Sequence, residues 1–185
     1  MLTNVAKRFY TVQHGKNVVI VGAKRTPIGT FMGGLKEMSA TALGAGASRG
    51  AIIQAGIEPT DIQEVFMGTV LQAGQGQAPD RQVALGAGCS VDTPCTAINK
   101  VCASGMKSLM IGANAIRLGD RSIVLAGGME SMSKAPHYTY LRKPTGYGHA
   151  QIVDAIQFDG LTDVYNKILM GNCVEKNCSE LAISR

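Results

Sequence analysis

The sequence lacks long apolar runs and the usual metal-binding patterns. No stretch approaches the roughly 18 consecutive apolar residues that a membrane-spanning helix needs, so we expect no membrane association. No cysteine pair has C-x-x-C spacing and the three histidines are not grouped with cysteines, so no metal site is expected. Five cysteines without a secretory hydrophobic segment favour reduced thiols: Cys89, Cys95, Cys102, Cys173 and Cys178.

Acidic residues are missing from the start of the chain, where the first is Glu37. Five basic residues precede position 28 and the remaining 13 basic and 13 acidic side chains balance, so the net charge of +5 belongs to the N-terminal segment. Nucleic-acid-binding proteins usually carry a stripe of basic residues with aromatic side chains for stacking. Residues 28–185 have balanced charge, so we expect no nucleic-acid binding. Residues 1–17 are basic and mildly amphipathic, which predicts a transit peptide for the mitochondrial matrix; the alternative is a short disordered tail.

Hydrophobic residues make up 45% of the chain and charged residues 17%, as in a globular protein. Apolar, largely β-branched runs predict strands at residues 17–23, 64–70, 96–101 and 122–126. Helices are predicted between them, at residues 39–55 (from a Ser39 N-cap to Gly56), 79–85 and 103–118. This alternation indicates an α/β fold with a mostly parallel sheet.

The character of the chain changes after residue 133. Residues 134–149 are rich in Pro, Tyr, Lys and Gly, and residues 152–170 regain a helical pattern that is interrupted at Asp159-Gly160. We interpret 18–133 as one domain and 134–185 as the beginning of an insertion. A dinucleotide-like glycine spacing at residues 44–50 lies inside a predicted helix instead of after a strand, so NAD binding is not expected.

Cys102 is the leading candidate for a nucleophile, because it lies between a predicted strand and a predicted helix. Unpaired N–H groups and the dipole at a helix N-terminus favour a thiolate and can stabilise a nearby oxyanion. The small residues that follow, Ala103, Ser104 and Gly105, would let a substrate approach the sulfur closely. The alternative is an inert, buried cysteine.

Five ordered segments resemble the thiolase family. They are residues 24–29 (K-R-T-P-I-G), 74–82 (G-Q-G-Q-A-P-D-R-Q), 98–107 (I-N-K-V-C-A-S-G-M-K), 124–133 (V-L-A-G-G-M-E-S-M-S) and 159–171 (D-G-L-T-D-V-Y-N-K-I-L-M-G). The last segment is most similar to the acetoacetyl-CoA thiolases of animal mitochondria. A ketoacyl synthase would also use a cysteine, but the G-G-M-E-S run favours a thiolase.

The resemblance implies a thiolase fold and acetyl-CoA C-acetyltransferase activity: two acetyl-CoA condense to acetoacetyl-CoA, or the reverse, through an acyl-cysteine. It implies Cys102 as acyl carrier, with its own N–H in an oxyanion hole, and Leu161 and Met170 as substrate-binding residues. Ordinary helix packing is the alternative for those two. CoA thioesters are implied as substrates, with no further cofactor, and complete members as homo-oligomers.

The family completes its site with a histidine in Gly-His-Pro, a second cysteine before a glycine run, and an asparagine in Asn-Glu-Ala-Phe. None of these motifs occurs in the 185 residues, and Leu169 stands where relatives carry a histidine. We therefore expect an incomplete first domain with the start of its loop domain. A catalytically inactive fragment that acts only in interaction or dimerisation is the alternative function.

Overall fold

The computed structural model describes residues 17–142 and 146–184, and its centre is a parallel sheet. The strands are β1 (Glu64–Gly68), β2 (Cys95–Ile98) and β3 (Val124–Gly128), in the order β2-β1-β3. The α/β prediction with a parallel sheet is confirmed. The central strand β1 is the most buried, as expected for a strand covered on both faces.

Three helices cover this sheet: α1 (Ala40–Ala55), α2 (Pro79–Ala87) and α3 (Ser104–Leu118). Ser39 caps α1 by accepting a hydrogen bond from Ala42 N at 3.1 Å, and Gly56, with φ of 68°, ends it. Both ends of this helix agree with the prediction. The glycines at positions 44–50 lie inside α1, where Gly44 packs against Val83 and Met129.

Side chains alternate across β1 and divide the packing into two layers. Val65 and Met67 belong to the main core cluster, which includes Ile52 of α1 and Val83 of α2. Phe66 and Gly68 face α3 instead: Phe66 lies 3.7 Å from the Cβ position of Gly112, and Gly68 lies under the first turn of α3. The sheet is therefore sandwiched between α1 and α2 on one side and α3 on the other.

The predicted strand at residues 17–23 is wrong. Val19, Ile20 and Val21 are 71%, 78% and 62% exposed, and the segment has no strand hydrogen bonds in the described structure. It runs along α1 instead, where Ala23 N donates to Gln54 Oε1 at 3.1 Å. A β-branched run becomes a strand only beside another strand, and no described strand lies next to this one.

The helix predicted over residues 152–170 is also wrong. The structure has β5 (Val153–Asp154), paired antiparallel with β4 (His137–Tyr138), and then a π-helical turn at Ile156–Leu161. The chain next forms a turn in which Asp163 accepts hydrogen bonds from Tyr165 N and Asn166 Nδ2, and only then begins α4 (Met170–Glu180). Local side-chain-to-backbone bonds compete with the helix here.

None of the helices in the described residues combines the length and the apolar character needed to cross a membrane. The transit-peptide prediction concerns residues 1–17, of which 1–16 lie outside the described residues.

Candidate active site

Cys102 lies in a tight turn between β2 and α3, and its side chain is exposed. Ala103 N donates to Lys100 O at 3.1 Å and Ser104 N to Val101 O at 3.0 Å, so the chain reverses within a few residues. The helix begins at Ser104, two residues after the thiol. The strand-to-helix position that the sequence predicted for Cys102 is therefore present, and burial does not make this cysteine inert.

Glycines bring the start of α3 into direct contact with the sheet. A Cβ at Gly68 would lie 2.4 Å from the carbonyl carbon of Ser104, closer than real Cβ contacts. A Cβ at Gly128 would lie 3.0 Å from Gly105 Cα. Further along the helix, Ser108 Oγ donates to Gly127 O at 2.7 Å. The ends of β1 and β3 thus set the distance between the sheet and the turn that carries Cys102.

A cavity of about 640 Å³ opens at this end of the sheet. Cys102 lines it together with the ends of β1 and β3, the loop before α1 and the π-helical turn. Ligands of open α/β sheets bind at the carboxyl ends of the strands, and the volume is that of a small-molecule site. Its lining includes Lys24, Thr26, Pro27, Ile28, Thr69, Val70, Leu71, Cys102, Gly128, Glu130, Ser131, Ile156, Gly160 and Leu161.

Hydrogen bonds hold the loop before α1 against the segment after β3. Met32 N donates to Ser133 Oγ at 2.9 Å, and Ser131 Oγ donates to Met38 O at 2.8 Å. These bonds join the loop before α1, whose residues 24–29 line the cavity, to segment 124–133. The segment at residues 74–82 is different, because it leads into α2 and does not line the cavity.

Glu130 organises another wall of the cavity, a role that sequence reasoning missed. Its carboxylate accepts hydrogen bonds from Val70 N at 2.9 Å, Leu71 N at 3.2 Å and the Thr69 hydroxyl at 3.4 Å. One side chain after β3 thereby fixes the loop after β1. The only available signal was its position two residues after a strand that ends in two glycines.

Ser104 lines the cavity beside Cys102, and its hydroxyl has a role that the sequence did not indicate. Its side chain is 4% exposed and is directed into the turn, where Oγ accepts from Lys100 N at 2.9 Å and donates to Val101 O at 2.5 Å. That the small residues after Cys102 let a substrate approach the sulfur stays a prediction. The Ser104 hydroxyl is committed to the backbone.

The two predicted substrate-binding residues have different positions. Leu161, 40% exposed, lines the cavity with Cys102 from the end of the π-helical turn. Met170 begins α4, is 46% exposed and does not line this cavity. Leu169 is the N-cap of that helix.

Two of the other cysteines are poor nucleophiles at neutral pH. Burial raises the pKa of Cys89. Burial, with the negative charge of Asp80 as the next cause, raises the pKa of Cys95 to about 11. Cys102 is the only thiol that lines the cavity within the described part of the chain.

The cavity holds few other groups that could transfer a proton. Across residues 17–142 and 146–184, no histidine lines it, and its one acidic side chain is Glu130, which is committed to backbone N–H groups. The same ranges contain no group of three His, Cys, Asp or Glu side chains that could hold a metal ion. The arrangement therefore presents a nucleophile in a cavity but no evident general base.

Comparisons with known proteins agree with this geometry. The family model "Thiolase, N-terminal domain" matches residues 18–185. Mitochondrial acetyl-CoA acetyltransferase A of Xenopus laevis is 52% identical over 184 residues, which are 100% of this chain and 44% of that protein. The human mitochondrial acetyl-CoA acetyltransferase is 54% identical over 170 residues, 92% of this chain and 40% of the relative.

Solved structures include a similar fold. The Acat5 thiolase of Ascaris suum, crystallised in complex with coenzyme A, superimposes with a TM-score of 0.86 at 41% identity. The match covers 91% of this chain and 44% of that one. The chain thus spans less than half the length of these relatives. Because the family model covers nearly all of its residues, the chain belongs to the thiolase family.

Proposed function

We propose that this chain supplies the acyl-accepting cysteine of an acetyl-CoA C-acetyltransferase. The observation that carries the proposal is the position of Cys102: an exposed thiol two residues before α3, lining a cavity at the carboxyl ends of the strands. The relatives named above are acetyl-CoA acetyltransferases, and the similar structure holds coenzyme A. A CoA thioester is therefore the substrate class that we assign to the cavity.

The first half-reaction needs a thiolate and an electrophilic thioester. The Cys102 sulfur attacks the carbonyl carbon of the acyl-CoA, the bond from that carbon to the CoA sulfur breaks, and CoA leaves and takes up a proton. The N–H of Cys102 is the proposed donor to the oxyanion that forms during attack, because the N–H groups of Ala103 and Ser104 already donate within the turn. The product is an acyl thioester on Cys102.

In the second half-reaction, a second acetyl-CoA loses a methyl proton and its carbanion attacks the acyl carbon. Acetoacetyl-CoA forms as the bond to the Cys102 sulfur breaks; thiolysis is the reverse. Removal of the methyl proton requires a general base, which typically contributes about 10²–10⁴-fold. Since the described cavity lining offers no free base, we assign this role to residues outside this chain's 185, in the part that the relatives have in addition.

Three narrower assignments belong to the same proposal. Leu161 contacts the acyl or pantetheine part of the substrate from the cavity wall, whereas Met170 would do so only after a rearrangement at α4. The mitochondrial matrix is the proposed location, supported by the names of the relatives and the basic N-terminal segment. Self-association is proposed for the complete enzyme.

The test compares two polypeptides. One has the 185 residues alone; the other continues with the second half of the human mitochondrial relative. We expect only the longer protein to thiolyse acetoacetyl-CoA, as measured by the fall in acetoacetyl-CoA absorbance. Cys102→Ala should abolish this activity. An active Cys102→Ala variant would refute the proposal. Association of the shorter chain with itself or another protein, without turnover by either polypeptide, would favour the non-catalytic alternative.

A further inference from the structure

The turn that carries Cys102 contains a strained residue. Val101 has φ of +47°, in the left-handed region. A β-branched side chain rarely adopts this conformation, because its Cβ crowds the backbone. Such residues persist where surrounding contacts enforce them, and they cluster at functional positions. Val101 directly precedes Cys102, so its conformation sets the direction of the peptide that leads into the nucleophile.

The contacts that enforce this conformation centre on one hydroxyl. Ser104 Oγ accepts from Lys100 N at 2.9 Å and donates to Val101 O at 2.5 Å, so it joins both sides of the turn. Asn99 Oδ1 adds a bond from Val101 N at 2.9 Å. Ser104 is 4% exposed, which shields its bonds from competition with water. Gly68 packs beneath its backbone, so the serine cannot move towards the sheet.

We infer that Ser104 is a positioning residue, whose hydroxyl holds Val101 in its strained conformation and thereby presents the Cys102 thiol at the start of α3. Ser104 does not touch the reacting atoms and acts through the backbone at positions 100–102. Without the hydroxyl, the Val101 backbone can return to negative φ, which redirects the peptide before Cys102. The inference rests on the proposed function of Cys102 and adds the residue that makes its geometry possible.

The experiment measures alkylation of Cys102 by iodoacetamide at one pH, by peptide mass spectrometry, in the 185-residue chain. Ser104→Ala is expected to slow Cys102 alkylation about tenfold or more, because the strained conformation becomes a minor one. The matched control is Thr93→Val, which removes another buried hydroxyl, bonded to Ile62 O at 3.2 Å, at the opposite end of β2 from Cys102. This control should leave the rate of Cys102 alkylation within about twofold of the parent rate, even if it lowers the stability as much as Ser104→Ala does.

A second variant distinguishes release of strain from general damage. Val101→Gly removes the steric penalty, so Ser104→Ala in that background should slow alkylation by less than about threefold. Equal slowing in both backgrounds, no slowing by Ser104→Ala, or equal slowing by Thr93→Val would each overturn the inference. Circular dichroism checks that every variant is folded; if Ser104→Ala unfolds, Ser104→Thr, which keeps the hydroxyl, must retain the parent rate.

Acetylation separates this inference from the proposed function. Incubation of the parent chain with acetyl-CoA tests whether Cys102 accepts an acyl group at all. If Cys102 is alkylated rapidly but never acetylated, the proposed function fails while the role of Ser104 in positioning the thiol stands. If Cys102 is acetylated and Ser104→Ala changes neither reaction, the positioning inference fails alone.

Discussion

Gly68→Ala tests whether the site depends on direct contact between α3 and the sheet. The added Cβ would meet the Ser104 carbonyl carbon at 2.4 Å and Gly105 N at 2.5 Å, whereas ordinary contacts begin at 3.4 Å. The first turn of α3 must therefore retreat by about 1 Å. Both obstructing atoms belong to the backbone, so rotation of a side chain cannot relieve the clash. Such overpacking typically costs about 1–3 kcal/mol.

The control is Gly46→Ala in α1, where a Cβ would meet nothing within 4 Å. That substitution should raise stability by about 0.5–1 kcal/mol, because alanine favours an unobstructed helix interior. Urea denaturation followed by circular dichroism measures both variants against the parent. An equal or higher unfolding midpoint for Gly68→Ala would refute the close-contact account. In Gly68→Ala, the displacement of the first turn of α3 by about 1 Å should also slow acyl transfer at Cys102 by up to about 100-fold.

The remaining predictions concern thiols and targeting. Near neutral pH, Cys102 should alkylate faster than Cys89 and Cys95, whose pKa values burial raises; equal labelling in a folded sample would contradict this. The pKa of Cys95 is about 11 in the folded state and 9.0 in the unfolded state, so its contribution to stability is complete below pH 9 and is lost between about pH 9 and 11. Cys95→Ala should therefore reduce the fall in the free energy of unfolding over this pH range. An unchanged fall in denaturation experiments would count against the prediction. Residues 1–30 fused to a fluorescent reporter should direct it to mitochondria, and diffuse cytosolic signal would argue against a transit peptide.

The sequence predicted most elements that depend on local signals. Helix α1 was identifiable from Ser39 and Gly56, because capping chemistry acts over three or four residues. Cys102 was found because its strand-to-helix position and its flanking residues are contiguous. The strand expected at residues 17–23 failed for the opposite reason: pairing depends on which distant segment lies alongside, and the local β-branched pattern carries no such information.

Long-range contacts also explain what was missed in the site. Glu130 bonds to residues 69–71, about 60 positions away, so its role emerges only when β1 and β3 lie side by side. Ser104 was noted only as small, since a positive φ at Val101 cannot be deduced from a valine. The helix predicted over residues 152–170 had suitable periodicity, but local bonds of Asp154 and Asp163 redirect the backbone.

The central claim is that Cys102 becomes acylated, and peptide mapping after incubation with acetyl-CoA tests it most directly. The folded chain, quenched in acid and digested, should carry one acetyl group on the peptide that contains Cys102. The modification should be absent from Cys102→Ser and should disappear when free CoA is added, because CoA takes back the acyl group. Acetylation of Cys89, Cys95, Cys173 or Cys178 in place of Cys102, or no acetylation of a folded chain, would contradict the account.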